Sequence, residues 1–147
     1  MQSRLMSEEA EFAMALGKVA RRWRTRLDSR LRVMGLTQAR WMALLELSQA
    51  DGQTQRDLAA TLGIEGPTLV RLLDGLEAQG LIERQACTDD RRAKRIHLTA
   101  NAAPVLREIR QIAEGTRREL LGGIPRDDLS AARRVLASIA ERLEQTE

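Results

Sequence analysis

Among 147 residues there is one cysteine, Cys87, and one histidine, His97. A lone thiol excludes an internal disulfide and suits a reducing compartment. One His and one Cys supply neither a zinc cluster nor a Cys–His nucleophilic pair with an orienting partner, and no glycine-rich loop has phosphate-cradling spacing. The many acidic residues fall where helix-surface charges are expected. Together these gaps argue against an enzyme and against a metal or organic cofactor. No run approaches the roughly 18 apolar residues of a membrane span. The first nine residues hold no apolar core of secretory length. The expectation is a cytoplasmic, soluble chain with no membrane partner. Internal repeats, low-complexity segments and long linkers are also missing.

What is present is unevenly charged. The formal net charge is only +3. Residues 18–32, however, carry seven basic residues against Asp28, and residues 81–100 carry five against three acids. Residues 65–80 are net negative, with Glu65, Asp74 and Glu77 against Arg71. Basic patches of this kind attract anions, whether phosphate backbones or small carboxylates.

Periodicity places a long helix over 8–31, with Met14, Leu16, Val19, Ala20, Trp23, Leu27 and Leu31 along one stripe. Thr37 is placed to cap a second helix, with Leu36 stapled onto Trp41, up to the Asp51-Gly52 break. Thr54 and Asp57 resemble a capping box that opens a short helix over 54–62. Gly63 stops it, and Pro67 starts another over 67–79. Two β-like runs follow, 81–86 and 94–98, around the charged turn at 88–93. Thr99 is expected to cap a helix starting near Asn101, and Pro125 to open a last one.

The fold class is therefore mainly α with a small β-hairpin wing: a winged helix-turn-helix with flanking N- and C-terminal dimerisation helices. One domain is expected over 1–147, with 36–100 as the winged lobe and 8–35 and 101–147 as the helices that bury their apolar faces in a homodimer.

With Leu69, Leu72, Leu73 and Leu76 turned inward, the helix over 67–79 points Pro67, Arg71, Asp74, Gly75 and Ala78 outward, with Thr68 and Val70 on the flanks. Small outward residues let a helix approach base edges. Arg71 suits a bidentate contact to guanine, and the Thr68 and Val70 methyls suit thymine. The net negative helix needs phosphate affinity from elsewhere. The basic hairpin residues Arg84, Arg91, Arg92, Lys94 and Arg95 are the expected source, with Asp90 directing Arg92 toward a minor groove. The candidate DNA-contacting set is Thr54, Gln55, Pro67, Thr68, Val70, Arg71, Arg84, Asp90, Arg91, Arg92 and Lys94. Two rival readings remain: a winged-helix module for protein–protein assembly, and an architectural DNA binder without sequence preference.

Three stretches carry a family resemblance. They are Leu36-Thr37-Gln38 with Trp41; Gly63-Ile64-Glu65 with Pro67 and Leu69-Val70-Arg71; and Asp90-Arg91-Arg92-Ala93-Lys94-Arg95-Ile96 with Leu98-Thr99. In these the chain resembles the MarR family of bacterial regulators, within it the SlyA-like branch, over residues 20–143. The resemblance implies a homodimer with interlocking first and last helices, bound to pseudo-palindromic promoter sites in double-stranded DNA, repressing or anti-repressing nearby genes. It also implies release by a small aromatic carboxylate such as salicylate. By the same resemblance Thr68 and Arg71 fall at base contacts and Arg92 at the minor-groove arginine. Arg21 and Trp41, with Arg71, fall toward the effector crevice. Family members that sense oxidants use a cysteine in the first helix; here the only thiol lies beside the wing.

Overall fold

A computed structural model of the chain describes residues 6–87 and 93–145. It divides into two compact units, Met1–Ala113 and Glu114–Glu147.

In the first unit, helix α1 (Glu8–Arg32) begins at Ser7, whose hydroxyl oxygen accepts the Ala10 N–H at 3.2 Å. Glu8, Glu9 and Glu11 complement the positive end of its dipole. Helix α2 (Gln38–Gln49) is capped as expected by Thr37, and Leu36 and Trp41 both join the buried cluster. Helix α3 (Gln55–Leu62) starts at Thr54, whose hydroxyl oxygen accepts the Asp57 N–H at 3.1 Å. It ends at Gly63, where φ of 65° favours a residue without Cβ.

Helix α4 (Gly66–Ala78) begins one residue before the expected Pro67, because the Glu65 carbonyl already accepts the Leu69 N–H and proline withholds no needed donor there. Leu69, Leu72, Leu73 and Leu76 face inward as the spacing predicts. At Gly80, with φ of 73°, the chain turns; the Leu81 N–H returns to the Leu76 carbonyl and closes the helix.

Strands β1 (Ile82–Ala86) and β2 (Lys94–Leu98) then pair antiparallel, with Ile82 opposite Leu98 and Ala86 opposite Lys94. The Cys87 N–H donates to the Ala93 carbonyl just inside the turn. Asp90, Arg91 and Arg92 lie outside the described residues.

Two features depart from the sequence reading. The segment before α3 acts as a third, very short strand. Gly52 N–H donates to the Ile96 carbonyl, Ile96 N–H donates to the Gln53 carbonyl, and Thr54 bridges Arg95. Asp51 adds its carboxylate: Oδ1 accepts the Leu98 N–H at 2.9 Å and Oδ2 lies 3.4 Å from His97 Nδ1. Thr99, expected as a helix cap, instead donates its hydroxyl to the Gly80 carbonyl at 2.5 Å. That carbonyl follows a helix end and needs a donor, so the hydroxyl is used across the α4–β1 turn.

The core joins Leu44, Leu47, Leu58, Leu73, Ile82, Ile96 and Ile109, all fully buried. Helix α5 (Ala102–Leu121) contributes Ala102, Leu106 and Ile109 to it. Truncating one such leucine to alanine costs about 2–5 kcal/mol. In the second unit, helix α6 (Arg126–Gln145) has no buried residue, and Val135, Leu136 and Leu143 are exposed.

Candidate nucleic-acid interface

Helices α3 and α4 and the hairpin converge on one concave surface. A groove of about 780 Å³ runs between the start of α3, the first half of α4 and the hairpin. Thr54, Gln55, Val70, Arg84 and Lys94, all named from sequence, line it. Arg56 and Gly66 also line it and were missed. Arg56 is exposed beside Gln55 in the capping sequence, and that adjacency was the available signal.

Helix α4 presents Pro67, Thr68, Val70 and Arg71 to solvent beside this groove. The first turn of the helix leaves backbone N–H groups free there, an arrangement suited to a phosphate oxygen. Gly75 departs from the expected outward face. It is half-buried, and a Cβ built on it stands only 2.3 Å from Nη2 of Arg40. The guanidinium of α2 thus lies across the helix where a side chain is missing.

The basic hairpin residues separate into different roles. Arg84 donates from Nη2 to Asp74 Oδ1 and from Nε to Glu77 Oε2, each at 2.6 Å, and its side chain is 17% exposed. Its pKa is raised above the ordinary arginine value, first by the hydrogen bond to Asp74 and then by Glu77, against the opposing effect of burial. Arg95 donates from Nη1 to the Gly52 carbonyl at 2.9 Å. Sequence reading placed both among the sources of phosphate affinity; in the structure Arg84 is engaged by α4, and Arg95, though exposed, is bonded to the short third strand. Lys94 is exposed on the groove.

Of the three effector candidates, Arg21 and Arg71 are exposed on α1 and α4, and Trp41 is 6% exposed on α2. Trp41 Nε1 is buried and lacks a hydrogen-bond partner among the described residues. Cys87 is half-buried at the hairpin neck. No group of His, Cys, Asp and Glu among the described residues is arranged to hold a metal, and no helix there is long and apolar enough to cross a membrane.

A helix-turn-helix followed by a hairpin, with an exposed small-residue helix face beside a groove that carries Arg56, Arg84 and Lys94, defines a winged-helix DNA-binding protein. The sequence pattern of the MarR family matches residues 34–93. The crystal structure of transcriptional regulator PA3341 is similar over 91% of this chain and 98% of its own, with 47% identity and a TM-score of 0.82. A MarR family transcriptional regulator from Rhodococcus sp. RHA1 aligns over 92% and 96% at 26% identity, TM-score 0.79. S. aureus MepR in its DNA-binding conformation aligns over 90% and 98% at 25% identity, TM-score 0.76. The chain belongs to the MarR family: it is a DNA-binding transcriptional regulator with a winged-helix fold, not an enzyme.

Proposed function

We propose that the protein is a dimeric, sequence-specific regulator that binds a pseudo-palindromic promoter site and releases it on binding a small aromatic carboxylate. The observation that carries the DNA reading is the exposed face of α4 beside the groove bounded by α3 and the hairpin. Pro67, Thr68, Val70 and Arg71 enter the major groove, with Arg71 on a guanine and the methyls of Thr68 and Val70 on thymine. Thr54, Gln55 and Lys94 take phosphates along the groove. Arg91 and Arg92, directed by Asp90, reach the adjacent minor groove.

Dimerisation draws support from exposed apolar surface. On α1, Phe12 is 46% and Met14 65% exposed; on α6, Leu143 is 64% exposed. A second copy of the chain covers these faces. At about 25 cal/mol per Å² they are too costly to leave wet on two amphipathic helices. Two subunits set their α4 helices about one DNA turn apart, roughly 34 Å.

Trp41 supports the ligand response. A buried N–H with no acceptor costs about 1–3 kcal/mol, and a carboxylate oxygen removes that cost. Arg21 and Arg71 supply the complementary charge.

The test is selection from random duplexes at two salt concentrations, with sequencing of the bound fraction. An inverted repeat with half-sites one turn apart is expected. Bound DNA without a motif replaces this reading with an architectural binder, and no binding replaces it with an assembly module. Salicylate titrated into the operator complex is expected to weaken it; an acid that neither binds nor shifts affinity removes the ligand response.

A further inference from the structure

On β1 the side chains alternate between the core and solvent. Ile82 takes the buried side, Glu83 and Gln85 are exposed, and Arg84 takes the inward position two residues beyond Ile82. An arginine in that place is accounted for by what it meets. Asp74 and Glu77 are three apart on α4 and so stand on one face of the helix, and one guanidinium spans both. The planar fork suits two carboxylates at once, as a lysine ammonium does not.

The position of this tie matters as much as its chemistry. The hairpin leaves α4 through the Gly80 turn, anchored there by the Leu81 and Thr99 hydrogen bonds and by Ile82 in the core. Farther out, Gln85, Ala86, Lys94 and Arg95 are exposed. Arg84 is thus a strut beyond the hinge, joining the arm that holds the wing to the helix that faces the major groove. It also masks two carboxylates on a helix that must approach phosphates.

We infer that Arg84 is a positioning residue for DNA recognition: it holds the wing at a fixed angle to α4 and shields Asp74 and Glu77, without itself contacting DNA. The inference rests on the proposed placement of α4 and the hairpin in neighbouring grooves. A fixed angle makes the two groove contacts one cooperative fit. A free angle lets each bind independently of the other, so that affinity for any duplex survives while preference for the operator falls.

The decisive comparison uses the full chain, an operator recovered by duplex selection and an unrelated duplex of equal length, titrated over a range of salt. The variants are Arg84→Gln, Arg84→Lys and the double variant Asp74→Asn/Glu77→Gln. Arg84→Gln is expected to lower the operator-to-unrelated affinity ratio by about tenfold, within the range of coupled pairs, and to leave the salt slope unchanged. Arg84→Lys restores only part of that ratio. The double variant keeps Arg84, removes two negative charges from the interface and is still expected to lose the ratio while binding unrelated DNA more tightly. A phosphate-contacting Arg84 behaves in the opposite way. The double variant then binds the operator more tightly with its ratio kept, and Arg84→Gln flattens the salt slope by about 0.9 per contact; either result overturns the inference. The double variant keeps both side-chain shapes and leaves amide oxygens to accept from Arg84, so it decides the matter even where Arg84→Gln does not fold. Wild-type protein that selects no motif removes the parent reading, whereas wild-type selection with variants of unchanged ratio removes the role of Arg84 alone.

Discussion

Lys94 and Arg95 are adjacent cations in different settings, Lys94 on the groove and Arg95 bonded to the Gly52 carbonyl, so on the proposed reading replacing each by alanine separates charge offered to DNA from charge spent on the fold. Lys94 is exposed on the groove, where its ammonium can meet a phosphate. Removing one phosphate contact lowers the slope of log K against log salt by about 0.9, and a dimer loses two contacts, a change of about 1.8. Arg95 donates to the Gly52 carbonyl at 2.9 Å beside the Thr54 bridge. A hydrogen bond to a charged group contributes about 1.5–3 kcal/mol when shielded; this one is exposed, and water replaces part of it, so about 1 kcal/mol is expected. Fluorescence anisotropy with a labelled operator at 50–300 mM salt, on the order of the range where counterion release is resolved, reads the slope. Urea denaturation at one fixed protein concentration reads the stability. Lys94→Ala is expected to flatten the slope and leave the urea midpoint in place, and Arg95→Ala to do the reverse. The reasoning is refuted if Arg95→Ala flattens the slope as much as Lys94→Ala.

Other substitutions probe other links. Arg71→Ala is expected to relax preference at one base pair in each half-site, at a cost of about 1–3 kcal/mol there, measured by repeating the duplex selection; equal losses on all sequences remove its base-reading role. Gly75→Ala is expected to stabilise the fold by roughly 0.5–1 kcal/mol, because helix propensity improves by about 1 kcal/mol while the obstructing Arg40 Nη2 is the far end of a flexible side chain. A midpoint shifted downward in urea shows instead that Arg40 is held in place. Leu143→Asp, at a surface that the proposed dimer would cover, is expected to shift the protein toward monomer in sedimentation velocity and to weaken operator binding; an unchanged dimer moves the interface off that end of α6.

Local chemistry was legible and distant chemistry was not. The caps at Ser7, Thr37 and Thr54, the stop at Gly63 and the leucine face of α4 all act within a few residues of themselves, so spacing revealed all but Ser7. The two hairpin strands followed from the short β-like runs at 81–86 and 94–98, while their register came only with the structure. Arg84 and Arg95 looked alike with Lys94 because composition counts charge without partners. Arg84 finds its carboxylates seven and ten residues back, and Arg95 its carbonyl 43 residues back. The strand at residues 52–54 leaves no periodic trace, since it is three residues long and its pairing with β2 is made by backbone atoms. Thr99 carries a residue type that suits a cap, but the unsatisfied Gly80 carbonyl made a stronger claim on its hydroxyl.

That short strand also bears on solubility. A two-stranded ribbon has two open edges, each able to recruit a stray chain. Here Gly52, Gln53 and Thr54 cover the far side of β2, so among the described residues only β1 offers an open edge. Its central residues are Glu83, Arg84 and Gln85, whose polar and charged side chains discourage sheet extension. The wing thus carries its guard against strand addition in three backbone-pairing residues on one side and three polar residues on the other.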